Sequence, residues 1–110
     1  MNFNDYQKKA LTTAINHPNP DYVLFDRTLS LMGEAGEIAE KIKKWIRDDQ
    51  ADIKKLDKDQ LAAELGDVLW YVAALADYFD YSLDEVAQKN LGKLKSRQQR
   101  QKISGSGDTR

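Results

Sequence analysis

The chain has 110 residues, with 17 Lys/Arg against 18 Asp/Glu, a formal charge of −1, no cysteine and one histidine. That length holds one domain with one modest core and an expected radius of gyration of about 13 Å. It has no disulfide framework, thiolate metal site, Cys nucleophile or multi-histidine site, and its near-neutral total argues against nucleic-acid binding through a broad basic surface.

The charge is divided along the chain. Residues 1–87 hold 10 Lys/Arg against 17 Asp/Glu, and residues 88–110 hold 7 against 1, so an acidic body carries a basic tail. A short first helix is predicted from about Asp5 to Ala14. It is followed by a loop at His17-Pro18-Asn19-Pro20-Asp21, where both prolines of the chain occur. Leu24, Thr28, Leu31, Ala35, Ile38, Ile42 and Trp45 then alternate at spacings of four and three, the seam of a long helix. The polar stretch Asp48 to Lys58 separates it from a second long helix, whose seam is Leu61, Leu65, Val68, Val72, Leu75 and Phe79. Asp57 with Gln60 resembles a capping box for that helix, and Ser82 with Glu85 has the same spacing at the start of a last helix to about Arg97. Strand signals are missing.

The expected class is therefore all-α, a bundle of about four helices with the two long ones antiparallel, because a connection of about ten residues favours that direction. Residues 1–98 form the domain, and residues 99–110 form a basic, Gly/Ser-containing tail, either flexible or ordered by a ligand or partner. The longest apolar run, Val68 to Ala76, has nine residues, far short of the ~20 that span a bilayer, and the N-terminus shows no signal peptide. A cytoplasmic protein without membrane or nucleic-acid partners is the expectation.

The chemistry lies in a repeated arrangement. Glu34-Ala35-Gly36-Glu37 on the first long helix recurs as Glu64-Leu65-Gly66-Asp67 on the second. Acids three apart share a helix face, and like charges so placed repel unless something positive binds. Each acid precedes a seam residue, so on antiparallel helices the four carboxylates are expected to converge on one edge of the pair. Gly36 and Gly66 remove bulk beside them. Clustered carboxylates without imidazole or thiolate suit a hard cation, Mg²⁺ or Mn²⁺. The competing explanation is a set of ordinary solvated acids, with Glu37 pairing Lys41 along the helix. Lys41 and Lys44 extend the acidic face, and Asn90, Lys93 and Arg97 share a stripe on the last helix. Cations beside a Mg²⁺ site suit polyphosphate recognition. Trp70 and Tyr71 could stack on a base, although aromatics at helical spacing are more often core or subunit interface. No Walker loop is present.

These residues resemble the MazG-like all-α nucleoside triphosphate pyrophosphohydrolases, whose signature Glu-x-x-Glu then Glu-x-x-Asp is matched by Glu34, Glu37, Glu64 and Asp67. The likeness extends through Gly33–Lys41, Glu64–Ala76 and Asn90 to Asp108. The resemblance implies Mg²⁺-dependent hydrolysis of a nucleoside or deoxynucleoside triphosphate between the α and β phosphates, giving a nucleoside monophosphate and pyrophosphate. It places Tyr71 near the nucleotide and Lys93 and Arg97 at the phosphates, and it implies a homodimer or homotetramer. Many members carry an extra Glu where this chain has Gly33, which leaves Glu37 or Glu40 as the candidate general base, or a metal-bound hydroxide needing little help. The alternatives are a non-catalytic helical metal-binding or interaction module, and the related phosphoribosyl-ATP pyrophosphohydrolase activity.

Overall fold

A computed structural model describes all residues, 1–110. The chain is all-helical, with four α-helices, α1 (Phe3–Ala10), α2 (Pro20–Asp49), α3 (Lys58–Tyr78) and α4 (Leu83–Gln99), and two single 3₁₀ turns at Leu11–Thr13 and Ile53–Lys55. The boundaries are set by local chemistry. The Asn2 side chain accepts from the Asp5 N–H and the Asp5 carboxylate accepts in return from the Asn2 N–H, starting α1 earlier than its apolar pattern. Asn19 caps α2 with Pro20 in its first turn, Asp57 accepts from the Gln60 N–H to open α3, and Ser82 and Glu85 form the reciprocal box that opens α4. The first helix ends at Ala10 and tightens into a 3₁₀ turn, rather than continuing to Ala14.

α2 and α3 pack along their lengths as an antiparallel pair. Arg27 lies over Trp70, Glu34 beside Asp67, and Lys41 against Glu64, so position rises on one helix as it falls on the other. Gln50 and Ala51 make the turn out of α2 in left-handed conformation, at φ 50° and 58°. The Trp45 indole N–H donates to the Asp52 carbonyl across the connection at 2.8 Å.

The other end is a knot built around Gln7. Its amide donates to the Ala73 and Tyr81 carbonyls at 3.0 and 3.2 Å, and its Oε1 accepts from the Leu83 N–H at 2.9 Å. One buried side chain thus joins α1, the C-terminal half of α3 and the start of α4. The fully packed apolar residues, Ala73, Ala74, Ala76 and Leu83, surround this junction, and their small volume lets the helices approach closely.

The compact shape expected from length is not what forms. The radius of gyration is 17.1 Å and the molecule measures 44 × 43 × 29 Å. α4 diverges from the α2–α3 pair, and Leu91 and Leu94 on it stay exposed. So do Tyr22, Phe25, Leu29 and Met32, a continuous apolar face of α2, together with Leu65 of α3. No helix is long and apolar enough to cross a membrane.

Candidate active site

Three of the four motif acids meet. Carboxylate oxygens of Glu34, Glu64 and Asp67 all lie within 4.8 Å of one another. Glu37 stands outside this group, exposed to solvent. Helical geometry accounts for the difference: three residues advance about 300° around the axis, so when Glu34 faces α3 directly, Glu37 is turned about 60° away. On α3 the pairing line passes between Glu64 and Asp67, and both reach. Glu34 therefore sits on the buried stripe of α2 rather than beside it, in line with Arg27 and Lys41, which are also drawn inward.

The electrostatics follow from that crowding. Partial burial, and then the neighbouring charges of Asp67, Glu64 and Glu37, push the Glu34 carboxyl above its ordinary titration range. Lys41 partly relieves the cluster through an ion pair to Glu64 at 3.3 Å, with both side chains largely shielded from solvent at 26% and 17% exposure. Tyr6 is raised by burial and by Asp67. Oxygen ligands alone, mutual repulsion and a single lysine counter-charge form a donor set that fits a hard divalent cation.

A cleft of about 660 Å³ opens from this cluster toward the N-terminal end of α2, with Glu34 and Asp67 in one wall. Trp70, Tyr71 and Arg27 line its middle, and His17 and Tyr22 line its far end, their rings 4.8 Å apart. The Trp70 indole N–H donates to the Ala10 carbonyl and the Thr13 hydroxyl, both at 3.0 Å, which holds the loop after α1 over the cleft. On the opposite side of the cluster Lys44 lines a second hollow, of about 340 Å³, with Lys41, Asp48 and Asp57.

The remaining predicted residues lie elsewhere. Glu40 is exposed and hydrogen-bonded to Lys43 at 3.0 Å, and that bond with the Lys43 charge holds its carboxyl below the usual range. Asn90, Lys93 and Arg97 do not line the cleft. Lys93 and the buried Arg97 both grip the Asp108 carboxylate of the folded-back tail, and the Lys93 bond foremost keeps Asp108 ionised to lower pH than usual. The tail is further tied by the Arg110 guanidinium, which donates to the carbonyls of Lys102, Ile103 and Gly107.

Arg27, Asp26 and the His17–Tyr22 pair were not evident as site residues from the sequence. Arg27 precedes Glu34 by seven positions, two turns on one helix face, and that spacing is the one sequence signal by which it could have been found.

The model of the MazG nucleotide pyrophosphohydrolase domain matches residues 27–101. Gene 37 protein of Mycobacterium phage L5 is 55% identical over 83 residues, 76% of this chain and 73% of that protein. The uncharacterized protein YvdC of Bacillus subtilis (strain 168) is 37% identical over 97 residues, 84% of each chain. No solved structure matches. With the acids, their spacing and the matched segment all coinciding, the chain belongs to the MazG nucleotide pyrophosphohydrolase domain family.

Proposed function

We propose that the protein hydrolyses nucleoside or deoxynucleoside triphosphates between the α and β phosphates, releasing a nucleoside monophosphate and pyrophosphate. The observation that carries this reading is the polarity of the site. The three-carboxylate cluster lies between an aromatic cleft on one side and, on the other, a hollow where Lys41, Lys44 and Lys55 stand among Asp48, Asp49 and Asp57. A nucleotide laid across it sets its base in the cleft, its α phosphate at the acids and its terminal phosphates among the lysines.

Glu34, Glu64 and Asp67 would hold the divalent cation, Mg²⁺ or Mn²⁺, and Glu37, outside that group, is left free of it. The ion supplies Lewis-acid activation of the α-phosphoryl group and neutralises charge on its oxygens. Glu37 serves as the general base. It removes a proton from the attacking water as the new P–O bond forms, and the bond from the α phosphorus to the bridging oxygen breaks with its electron pair leaving on pyrophosphate. The depressed Glu40 carboxyl, bonded to Lys43, is the weaker base. Lys41 and Lys44 bind the departing pyrophosphate. Lys93, Arg97 and neighbouring Asn90 line neither hollow, and the two cations are committed to Asp108, so this pose does not use them.

The protein acts as a homodimer or a dimer of dimers. The apolar face of Tyr22, Phe25, Leu29 and Met32 has no cover within the chain, and a second copy supplies it.

The test is pyrophosphate release with Mg²⁺ from a panel of canonical and damaged nucleotides that includes phosphoribosyl-ATP. Glu64→Gln and Glu37→Gln are each expected to lower turnover at least 100-fold. Absence of release from every nucleotide, or unchanged release in both variants, refutes the reading.

A further inference from the structure

The middle of the cleft carries a donor and an acceptor, Arg27 and Asp26, that the chain engages only weakly. Arg27 is only 9% exposed, yet its guanidinium makes no hydrogen bond within the chain. It lies 5.3 Å over the Trp70 ring, a cation–π contact that fixes its plane, and its sole ionic partner is Asp26 at 3.5 Å. Asp26 in turn has only that contact and a 3.5 Å approach from the Ser30 hydroxyl. Both residues line the cleft. The Arg27 donors are not tied up by the chain, so an acceptor on a ligand entering the cleft can take them.

Position selects which part of a nucleotide arrives. Arg27 and Glu34 are seven residues apart, roughly 10.5 Å along one face of α2. With the α phosphate at the acids, that separation reaches past the ribose to the edge of the base. The edge must then offer an acceptor to Arg27 and donors to the two oxygens of Asp26. Guanine does so, with O6 as the acceptor beside the N1–H and N2–H donors in one row. Adenine and cytosine present one amino group next to a ring nitrogen whose lone pair would face the carboxylate. Uracil and thymine present one N–H flanked by two carbonyl oxygens, and one of these would also face it.

We propose that Asp26 and Arg27 together read a guanine edge, Asp26 accepting from N1–H and N2–H and Arg27 donating to O6, so that the preferred substrates are guanine nucleoside triphosphates and damaged forms that keep this edge. The inference rests on the pyrophosphohydrolase reading.

The experiment compares kcat/KM for GTP, ITP, ATP, CTP and UTP. ITP differs from GTP only in lacking the N2 amino group. In parallel, calorimetry with Mg²⁺ measures binding of the α,β-methylene analogues of GTP and ATP to the unmutated protein. GTP is expected to exceed ITP by about tenfold and ATP by about 100-fold. Asp26→Asn, an exposed substitution that leaves packing alone, is expected to collapse the GTP-to-ITP ratio to near one. Arg27→Lys keeps the charge but loses the planar fork, and is expected to weaken GTP more than ATP. Hydrolysis that treats GTP and ATP alike, or a GTP-to-ITP ratio untouched by Asp26→Asn, overturns the base assignment and leaves the hydrolase reading standing. If no nucleotide is hydrolysed, the hydrolase reading falls, and the calorimetry still decides base selection: tighter binding of the GTP analogue supports it, and equal binding overturns it.

Discussion

Glu34 concentrates the electrostatic strain of the site in one side chain. Burial first, and then Asp67, Glu64 and Glu37, raise its titration range above that of an unfolded glutamate. A carboxyl raised on folding binds its proton more tightly in the native state. Its contribution to stability is therefore fully present below the unfolded value and is lost as pH rises through the folded one. At neutral pH without cations the ionised group works against the fold. Glu34→Gln is accordingly expected to raise the melting temperature in EDTA at pH 7, with the gain shrinking as pH falls toward the ordinary carboxylate range. If Mg²⁺ binds as proposed and stabilises the unmutated protein, the same change is expected to abolish that stabilisation. Calorimetric melts across pH check this, and a lower melting temperature at every pH contradicts it. The acids were legible in the sequence because their spacing is local and repeated. Which of them converge was not, since a 60° rotation about α2 separates Glu34 from Glu37 and only the register against α3 sets it. Arg27 was hidden for another reason: its charge marks it as a surface residue, and only the stacking on Trp70 draws it in.

Among the elements, the junction of α1, α3 and α4 depends on one amide. Truncating Gln7 to Ala strands the Leu83 N–H and frees the Ala73 and Tyr81 carbonyls in a buried place. Gln7→Ala is expected to destabilise the fold by about 2–3 kcal/mol, read from urea unfolding at unchanged slope. A loss below about 0.5 kcal/mol would mean that water replaces the amide without penalty. Helix starts were readable because caps are local: Asp57 and the Ser82–Glu85 box stand where their spacing puts them. The end of α1 was not, because its last turn is set by the distant Trp70 indole bonding the Ala10 carbonyl.

At the scale of the molecule, a chain of this length that is 44 Å across and 29 Å thick hides few large side chains. The helical seams of the sequence predict helix pairing but not which apolar stripe stays uncovered within the chain, and so the slab shape was outside their reach. If the face of Phe25, Leu29 and Met32 is covered by a second subunit, a charge at its centre opposes assembly. Leu29, 72% exposed in the single chain, is a site where Leu29→Glu costs the isolated fold little. Sedimentation velocity is expected to show the unmutated protein as a dimer or tetramer and Leu29→Glu as a species of lower mass. An unmutated protein that sediments as a monomer at micromolar concentration overturns the assignment.

The Gln7 knot and the carboxylate cluster occupy different lengths of α3, and this separation has a mechanical consequence. Where α1, α3 and α4 meet, alanines and a three-way amide leave no slack. Along the acids and on to the turn at Gln50 and Ala51, α2 and α3 touch through half-buried side chains and one lysine bridge. The knot thus fastens α3 to α1 and α4, while α2 is held by its packing along α3 and by the turn at Gln50 and Ala51, so a disturbance at Gln7 reaches the acids chiefly through α3.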